Sequence, residues 1–351
     1  MTVFFFKPPR HTTGVYSGRL SAALSGLGIA SECRTAGSER FASLSRKLLP
    51  DSLADRLLSL STRPPFSNSS LRGLRFGDAA WVYTNLLFAD RNLHCPFESA
   101  LKKEGAKYVF HLPDAWPVLP PLKPHVDARI RLADFVATVT PALTELVRKL
   151  YPGVPCGTCE EAVPTEDFAP DFNPGSEPPV IVWSGPPVKI REVEKSLPVL
   201  EAVFRECPFV LRIVSGKSVP KFSAPFPVQW LPFFGTKPSK RFRGADIAFA
   251  RYADTPYGGC KGNYKVKTYL AAGCAVVTDP VGYNLDMIQP GVNGLFASSP
   301  DEWEAALLRL LRNPDERLAM RKAARKTAIR RFSYEAIASQ YARVLRNLGW
   351  V

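Results

Sequence analysis

Long hydrophobic runs are missing from this chain of 351 residues. No uncharged apolar segment reaches the roughly 18 residues that a membrane-spanning helix needs, which excludes a spanning protein. The start, MTVFFFKPPR, has only a four-residue apolar burst before a lysine and two prolines. An export signal needs a longer apolar core, so we interpret this segment as a first strand and expect a cytoplasmic protein.

Residues that commonly bind metals are also sparse. The four histidines show no H-x-x-x-H spacing, and no two aspartates stand two positions apart. Seven cysteines are an odd number in a long chain, which favours reduced thiols over a disulfide framework. Cys156 and Cys159 form one C-x-x-C motif, but no second pair is spaced to complete a four-ligand zinc site. We therefore expect no metal and no cofactor.

Positive charge is abundant and unevenly distributed. The formal net charge is +14 at pH 7, with 20 basic against 17 acidic residues in 1–175 and 26 against 15 in 176–351. The excess in the second half favours an anionic partner, which leaves a nucleotide, an anionic lipid surface or nucleic acid open.

Short β-rich apolar runs alternate with helical periods along most of the chain. The segment Pro164–Pro179 interrupts this alternation with five prolines and no apolar period, which is typical of a linker. After it, strands are predicted from Val180, and a long helix is predicted over Ile190–Phe204. Strand–helix alternation on both sides of one linker predicts two α/β domains with parallel sheets. Ligands bind at the carboxyl ends of such strands, so we expect the site in a cleft between facing domains.

The segment Arg251–Gly282 carries the most specific chemistry. A helix is predicted to begin near Asn263, and no acidic residue lies between Asp254 and Asp279. Glycines and lysines surround the start of this helix: Gly258, Gly259, Gly262, Lys261, Lys265 and Lys267. Exposed amides, a positive helix end and three lysines lack a counter-charge, which a bound phosphate would supply. The alternative is that these lysines extend into water.

The run KVKTYLAAGCAVV from Lys265, followed by DPVG ending at Gly282, resembles the donor-site segment of family-4 glycosyltransferases of the GT-B fold. Further similar motifs follow the order of that family: Tyr108–Trp116, Glu161–Phe168, Ile181–Gly185, Gly291–Phe296, Asp301–Leu307, Asn313–Arg317 and Phe332–Tyr334. The resemblance extends from about residue 108 to 335 and is weak in 1–107. Within the family, this segment resembles that of a group of enzymes acting on bacterial cell-surface polysaccharides.

The resemblance implies a GT-B fold, α/β, with two Rossmann-like parallel-sheet domains that face a cleft. Residues 1–168 would form the acceptor-side domain and 169–179 the linker. Residues 180–332 would form the nucleotide-sugar domain, and 333–351 a final helix that crosses back to the first domain. The implied enzyme moves a sugar from a nucleotide sugar to a saccharide or a lipid-linked glycan. It would need no metal ion, and it would retain the anomeric configuration without a protein nucleophile.

The resemblance also implies roles for individual residues. Lys265 would neutralise the departing diphosphate, an electrostatic role that is strong in a dry cleft. Further donor-binding residues would be Lys261, Lys189, Gly262, Asn263 and Tyr264. Gly282 would allow close approach of the ligand in the loop after the donor-site strand, and Gly14 would lie in the loop between the first strand and the first helix. His111 and Asp114 would be catalytic, because they could orient the acceptor hydroxyl or assist its proton transfer. For His111, the alternative is a hydrogen-bonded histidine near the core.

The chain departs from the family at two glutamates that usually hold sugar and ribose hydroxyls. They would fall at Cys260 and Thr268, and neither position is acidic here. We expect Thr268 to bind a hydroxyl and Asp254 to reach the sugar. The missing carboxylates also leave open a non-catalytic, nucleotide-binding member of the family.

Two segments indicate peripheral contact with an anionic membrane. In a cytoplasmic protein, this contact would be at the inner face of the membrane. Residues 317–331 hold seven basic side chains and no acid, and four leucines lie near basic residues in the first domain: Leu44, Leu48, Leu53 and Leu57. A solvated charged face is the alternative. A binder of nucleic acid, or a glycosyltransferase acting on it, is disfavoured because the aromatic residues mostly fall in strands rather than among basic ones.

Overall fold

The computed structural model describes residues 1–7, 13–35, 71–83, 93, 95–120, 122–172, 178–216, 223–233 and 236–351. The chain divides into two compact units. The first contains Met1–Ala162, Cys260–Gly262 and Tyr334–Val351, and the second contains Val163–Gly259 and Asn263–Ser333. Helices and strands are numbered below along the chain.

The first unit is built on a six-stranded parallel sheet in the order β2-β1-β3-β4-β5-β6. Its strands are β1 (Val3–Lys7), β2 (Ser31–Thr35), β3 (Ala79–Tyr83), β4 (Lys107–Leu112), β5 (Phe135–Thr138) and β6 (Cys156–Thr158). Its helices are α1 (Thr13–Gly26), α2 (Pro96–Lys103), α3 (Lys123–Leu132), α4 (Pro141–Leu150) and α13 (Tyr334–Asn347). Buried side chains of α1 and α13 pack with the sheet in one core, in which Trp81 of β3 stacks on Tyr341 of α13 at 4.6 Å between ring centroids.

The second unit repeats this architecture with a parallel sheet in the order β12-β11-β10-β7-β8-β9. Its strands are β7 (Val180–Ser184), β8 (Val210–Ser215), β9 (Val228–Pro232), β10 (Ile247–Ala250), β11 (Ala275–Thr278) and β12 (Gly294–Phe296). Its helices are α5 (Arg191–Glu194), α6 (Leu197–Glu206), α7 (Pro238–Phe242), α8 (Pro256–Gly259), α9 (Tyr264–Ala271), α10 (Asn284–Met287), α11 (Pro300–Arg312) and α12 (Pro314–Phe332). Two buried apolar clusters pack within this unit, and each contains residues of the sheet.

A buried charge cluster joins α12 to the sheet of the second unit. Asp246 precedes β10 and accepts a hydrogen bond from Arg321 at 3.1 Å, and Arg317 lies 3.8 Å from the same oxygen. The other carboxylate oxygen accepts from the backbone amide of Val180 at 3.0 Å. All three charged side chains are buried, so their mutual pairing is needed to offset the cost of removing them from water.

The basic run over 317–331 is therefore not a uniformly solvated face. Arg317 and Arg321 are buried, and Arg325 donates to the carbonyls of Thr165 and Ala271 at 2.8 and 2.6 Å. Arg331 donates to the carbonyl of Asp286 at 2.5 Å. The remaining three basic side chains are exposed and spaced four residues apart: Lys322, Lys326 and Arg330. The four leucines noted in the first domain lie outside the described residues, and within those residues no helix is long and apolar enough to cross a membrane.

Candidate functional site

A pocket of about 390 Å³ opens in the second unit. Its wall includes Ser184 at the carboxyl end of β7, Gly216 directly after β8 and Phe233 directly after β9. Helix α9 contributes Tyr264, Lys265 and Thr268, and the other lining residues are Val163, Pro164, Phe168, Gly185, Pro186, Pro187, Pro238, Arg241 and Phe242. The pocket thus lies where parallel α/β sheets bind ligands, at the carboxyl ends of their strands.

Lys265 lies in the first turn of α9 and points its ammonium group toward Glu192 of α5, with 3.0 Å between Nζ and Oε2. Its Nζ also lies 4.7 Å from the centroid of the Trp183 ring. Lys189, another predicted phosphate ligand, lies 3.6 Å from the other oxygen of Glu192. The expectation that Lys265 lacks a counter-charge is therefore wrong. Glu192 supplies it from a helix 73 residues earlier in the chain.

The end of β7 is fixed by a buried tyrosine of α9. The hydroxyl oxygen of Tyr269 accepts hydrogen bonds from the backbone amide of Ser184 at 2.7 Å and from its hydroxyl at 3.2 Å. Burial raises the pKa of Tyr269, so its hydroxyl stays neutral. At the next position a Cβ atom on Gly185 would lie 2.6 Å from the ring of Trp183, so this part of the wall requires glycine.

A second polar cluster lies at the start of α9. Asn263 adopts a left-handed conformation with φ 46°, and its Nδ2 donates to Oδ1 of Asn284 at 2.8 Å. Asn284 in turn donates to the side chain of Thr278 and the carbonyl of Asp279, at the end of β11. Gly282 follows with φ 53°, and a Cβ there would lie 2.6 Å from the carbonyl oxygen of Gly259. The close approach predicted at Gly282 is thus to the chain's own backbone.

Only three of the predicted donor-binding residues line the pocket: Tyr264, Lys265 and Thr268. The hydroxyl of Thr268 donates to the carbonyl of Tyr264 at 2.9 Å, so only its oxygen lone pairs are available to a ligand hydroxyl. Asp254 is exposed in the loop after β10. Lys261 and Gly262 belong to the short segment that groups with the first unit. Their donor-binding roles, like those of Asn263 and Gly282, stay predictions.

Gly14 was placed in the loop between the first strand and the first helix, and this position is wrong. It lies in the first turn of α1, which begins at Thr13. A glycine inside a helical turn gives no evidence of the open loop geometry from which its ligand-binding role was inferred.

Arg241 is a cation of the pocket wall that the sequence analysis missed. It lies on α7, and its guanidinium carbon is 4.2 Å from the centroid of the Phe233 ring. Its Nε atom is buried and has no hydrogen-bond acceptor among the described residues. Burial lowers the pKa of the guanidinium group, and the nearby Tyr264 partly offsets this effect. The basic run KPSKRFR from Lys237 was a signal in the sequence, although it did not distinguish Arg241 from its exposed neighbours.

The two residues predicted as catalytic lie in the first unit. His111 lies within the buried part of β4 and is 1% exposed, and its Nδ1 accepts a hydrogen bond from Trp81 at 3.3 Å. Burial lowers the pKa of His111 to about 3, so the ring is neutral near pH 7. These are the surroundings of a core histidine. Asp114 is half-buried in the loop after β4, where its carboxylate accepts from the amide of Ala115 at 3.3 Å. The catalytic roles stay predictions.

The buried His111 makes stability depend on pH. Its pKa of about 3 in the folded chain lies below the ordinary 6.5, so the unfolded chain binds a proton that the folded chain does not. Stability is therefore lost as the pH falls from 6.5 toward 3, by about 2 kcal/mol at pH 5 from this group. The variant His111→Gln should lose this part of the acid sensitivity. Urea unfolding of both proteins at pH 7 and pH 5 checks it, and equal losses in both would contradict it.

Among the residues that the structure describes, no group of three or more histidine, cysteine, aspartate or glutamate side chains could hold a metal ion. The C-x-x-C pair lies in the first unit, with Cys156 half-buried and Cys159 buried. Burial raises the pKa of both thiols, which disfavours the reactive thiolate form.

Comparison with known proteins gives one matching family model and a set of similar solved structures. Residues 239–343 match a family model described as glycosyl transferase-like. Similar solved structures include a sucrose-phosphate synthase from Thermosynechococcus elongatus, with 14% identity, a TM-score of 0.66 and coverage of 99% of both chains. They also include Anabaena HepE in complex with UDP and glucose, with 13% identity, a TM-score of 0.64 and coverage of 99% of this chain and 100% of that one. No curated protein matches the chain.

The family match and the structural matches support different parts of the interpretation. The family match confirms the predicted class, a glycosyltransferase, from a segment that includes the pocket residues of α7 and α9. The structural matches, all at low identity, confirm the predicted α/β GT-B fold with two parallel sheets.

Proposed function

We propose that this chain transfers a sugar from a nucleotide-sugar donor to a saccharide or a lipid-linked glycan, with retention and without a metal ion. The observation that carries the proposal is the pocket at the carboxyl ends of β7, β8 and β9 with Lys265 in its wall. HepE, which has a similar fold, is described in complex with UDP and with UDP-glucose. A nucleoside diphosphate is the part of such a donor that this pocket would hold.

Lys265 would bind the diphosphate and stabilise the negative charge that develops on it as the sugar leaves. Its ammonium group has three donors, so it can keep Glu192 and contact a phosphate at the same time. Lys189, which pairs with the same carboxylate, would add charge from the neighbouring loop. Lys265 lies 4.7 Å from the Trp183 ring of β7 and Lys189 follows β7 in the chain, so the phosphates would bind at that end of the pocket.

The sugar and ribose hydroxyls would be bound differently here than in glycosyltransferases that have the two glutamates. Thr268 lies one turn after Lys265 on α9 and also lines the pocket, where its oxygen can accept a hydrogen bond from ribose. Asp254 would reach the sugar from the loop after β10. In the first unit, Asp114 would orient the acceptor hydroxyl.

The proposal is tested by incubating the protein with a panel of nucleotide sugars and saccharide or lipid-linked acceptors in EDTA. We expect one donor to be consumed, and the anomeric configuration of the product, read by NMR, to match that of the donor. Binding of a nucleotide without any transfer would favour the non-catalytic alternative. Salt-dependent binding of DNA without nucleotide binding would favour the nucleic-acid alternative.

We also propose peripheral contact with an anionic membrane through the exposed stripe of Lys322, Lys326 and Arg330 on α12. Side chains four residues apart share a helix face, so all three charges can meet one surface. We expect more protein to sediment with anionic vesicles than with neutral ones. Equal sedimentation with both would contradict this contact.

A further inference from the structure

The strand order of the second sheet determines which end of the pocket lies beside β7 and which lies beside β9. Lys265, 4.7 Å from the Trp183 ring of β7, marks one end, whereas Phe233, directly after β9, and the adjoining Arg241 mark the other. Strand β8 lies between these two strands, and neighbouring strands are about 4.8 Å apart, so the two ends are separated by about 10 Å. A nucleotide with its phosphates at Lys265 would extend its base toward Phe233 and Arg241.

The β9 end of the pocket suits a flat aromatic group. The walls of the pocket as a whole are largely apolar, with Phe168, Phe233, Pro238 and Phe242 among the lining residues. In a pocket of this kind a few polar groups fix the orientation of the ligand. Arg241 is the positively charged member of this end, and it is held against Phe233 by a cation–π contact.

The guanidinium group of Arg241 has an N–H donor that no described residue accepts. Its Nε is buried without an acceptor among the described residues, an arrangement that is costly unless a small rotation brings this donor to an acceptor in the pocket. Arginine offers parallel N–H donors in a rigid fork, which matches two neighbouring acceptors in one plane. Guanine presents such a pair with O6 and N7, and cytosine with O2 and N3. In uracil a donor separates the two carbonyls, and in adenine a donor lies beside N7.

We propose that Arg241 reads the base of the donor, and that this base carries two neighbouring acceptors, as guanine and cytosine do. The inference rests on the proposed nucleotide-sugar function and adds the basis of its nucleotide selectivity. Arg241 acts here as a specificity determinant, separate from the phosphate contact at Lys265.

Isothermal titration calorimetry with GDP, CDP, UDP, ADP and inorganic pyrophosphate tests this inference. We expect either GDP or CDP to bind roughly 10- to 100-fold more tightly than UDP and ADP. The variants Arg241→Gln and Arg241→Lys should both remove this preference, because lysine keeps the charge but loses the fork. Affinity for pyrophosphate should be unchanged in both. The variant Arg243→Gln, at an exposed position on the same segment, is the matched control and should keep the preference.

Each other outcome has a separate meaning. If Arg241→Gln weakens all ligands equally, pyrophosphate included, then Arg241 contacts phosphate and the inference is overturned while the proposed function stands. A wild-type preference for UDP or ADP also overturns it. If the wild-type protein binds no nucleotide, the proposed function itself fails, and the inference fails with it.

Discussion

Replacing Lys265 with alanine should reduce glycosyl transfer by about 10²–10³-fold, the usual effect of removing one preorganised electrostatic contact to developing charge. The ammonium group lines the pocket and is 3.0 Å from Glu192, so its loss leaves that carboxylate near the phosphate position with only the longer contact to Lys189, at 3.6 Å, among its described ion pairs. Nucleotide affinity should therefore fall together with the rate. Transfer rates and calorimetric affinities of both proteins measure the two effects.

Two further variants distinguish this role from a general loss of charge. Lys195→Ala removes an exposed lysine just after α5 and should leave rate and affinity unchanged. Glu192→Gln removes the carboxylate that competes with phosphate, so nucleotide affinity should not fall. A Lys265→Ala protein that transfers sugar at the wild-type rate would show that the phosphates bind elsewhere.

Replacing Asp246 with alanine should destabilise the protein by about 3–5 kcal/mol, because it leaves buried positive charge without its partner. Arg321 donates to this carboxylate at 3.1 Å, Arg317 lies 3.8 Å away, and the amide of Val180 loses its acceptor. The free energy of unfolding in urea measures the loss. Asp246→Asn keeps an acceptor for the amide and should cost less.

The matched control is Asp286→Ala, since this aspartate is exposed and only its backbone carbonyl contacts Arg331. Its unfolding free energy should stay within about 0.5 kcal/mol of the wild-type value. If Asp246→Ala were as stable as the control, the buried charge cluster would not hold α12 to the sheet.

The fold was predictable from the sequence where strands are long and apolar. The runs that form β1, β4, β7 and β10 stand out as buried strands, and the Pro-rich segment separates the two sets of elements. Strands β6 and β12 were not predicted, because three residues each are too short for an apolar period. The helix predicted over Ile190–Phe204 is two helices, since α6 begins at Leu197 with Pro198 in its first turn.

The site was predictable where its residues lie together in the chain. The motif over α9 identified Lys265, Tyr264 and Thr268, which all line the pocket. Glu192 and Arg241 were missed, because they reach this region of the fold from positions 73 and 24 residues before Lys265 in the chain. The spacing of residues within one motif does not reveal contacts with residues that are distant in the chain. The same limit applies to the basic residues of α12, where burial rather than sequence decides which charges reach the solvent.

The central claim is that the pocket of the second unit binds a nucleotide, and thermal unfolding tests it most directly. Wild-type protein in EDTA would be heated with GDP, CDP, UDP and ADP, each at saturating concentration. A ligand at 100 times its dissociation constant adds about 2.7 kcal/mol of stability, so the account predicts a clear rise in melting temperature with one of them. An unchanged melting temperature with all four nucleotides would contradict it.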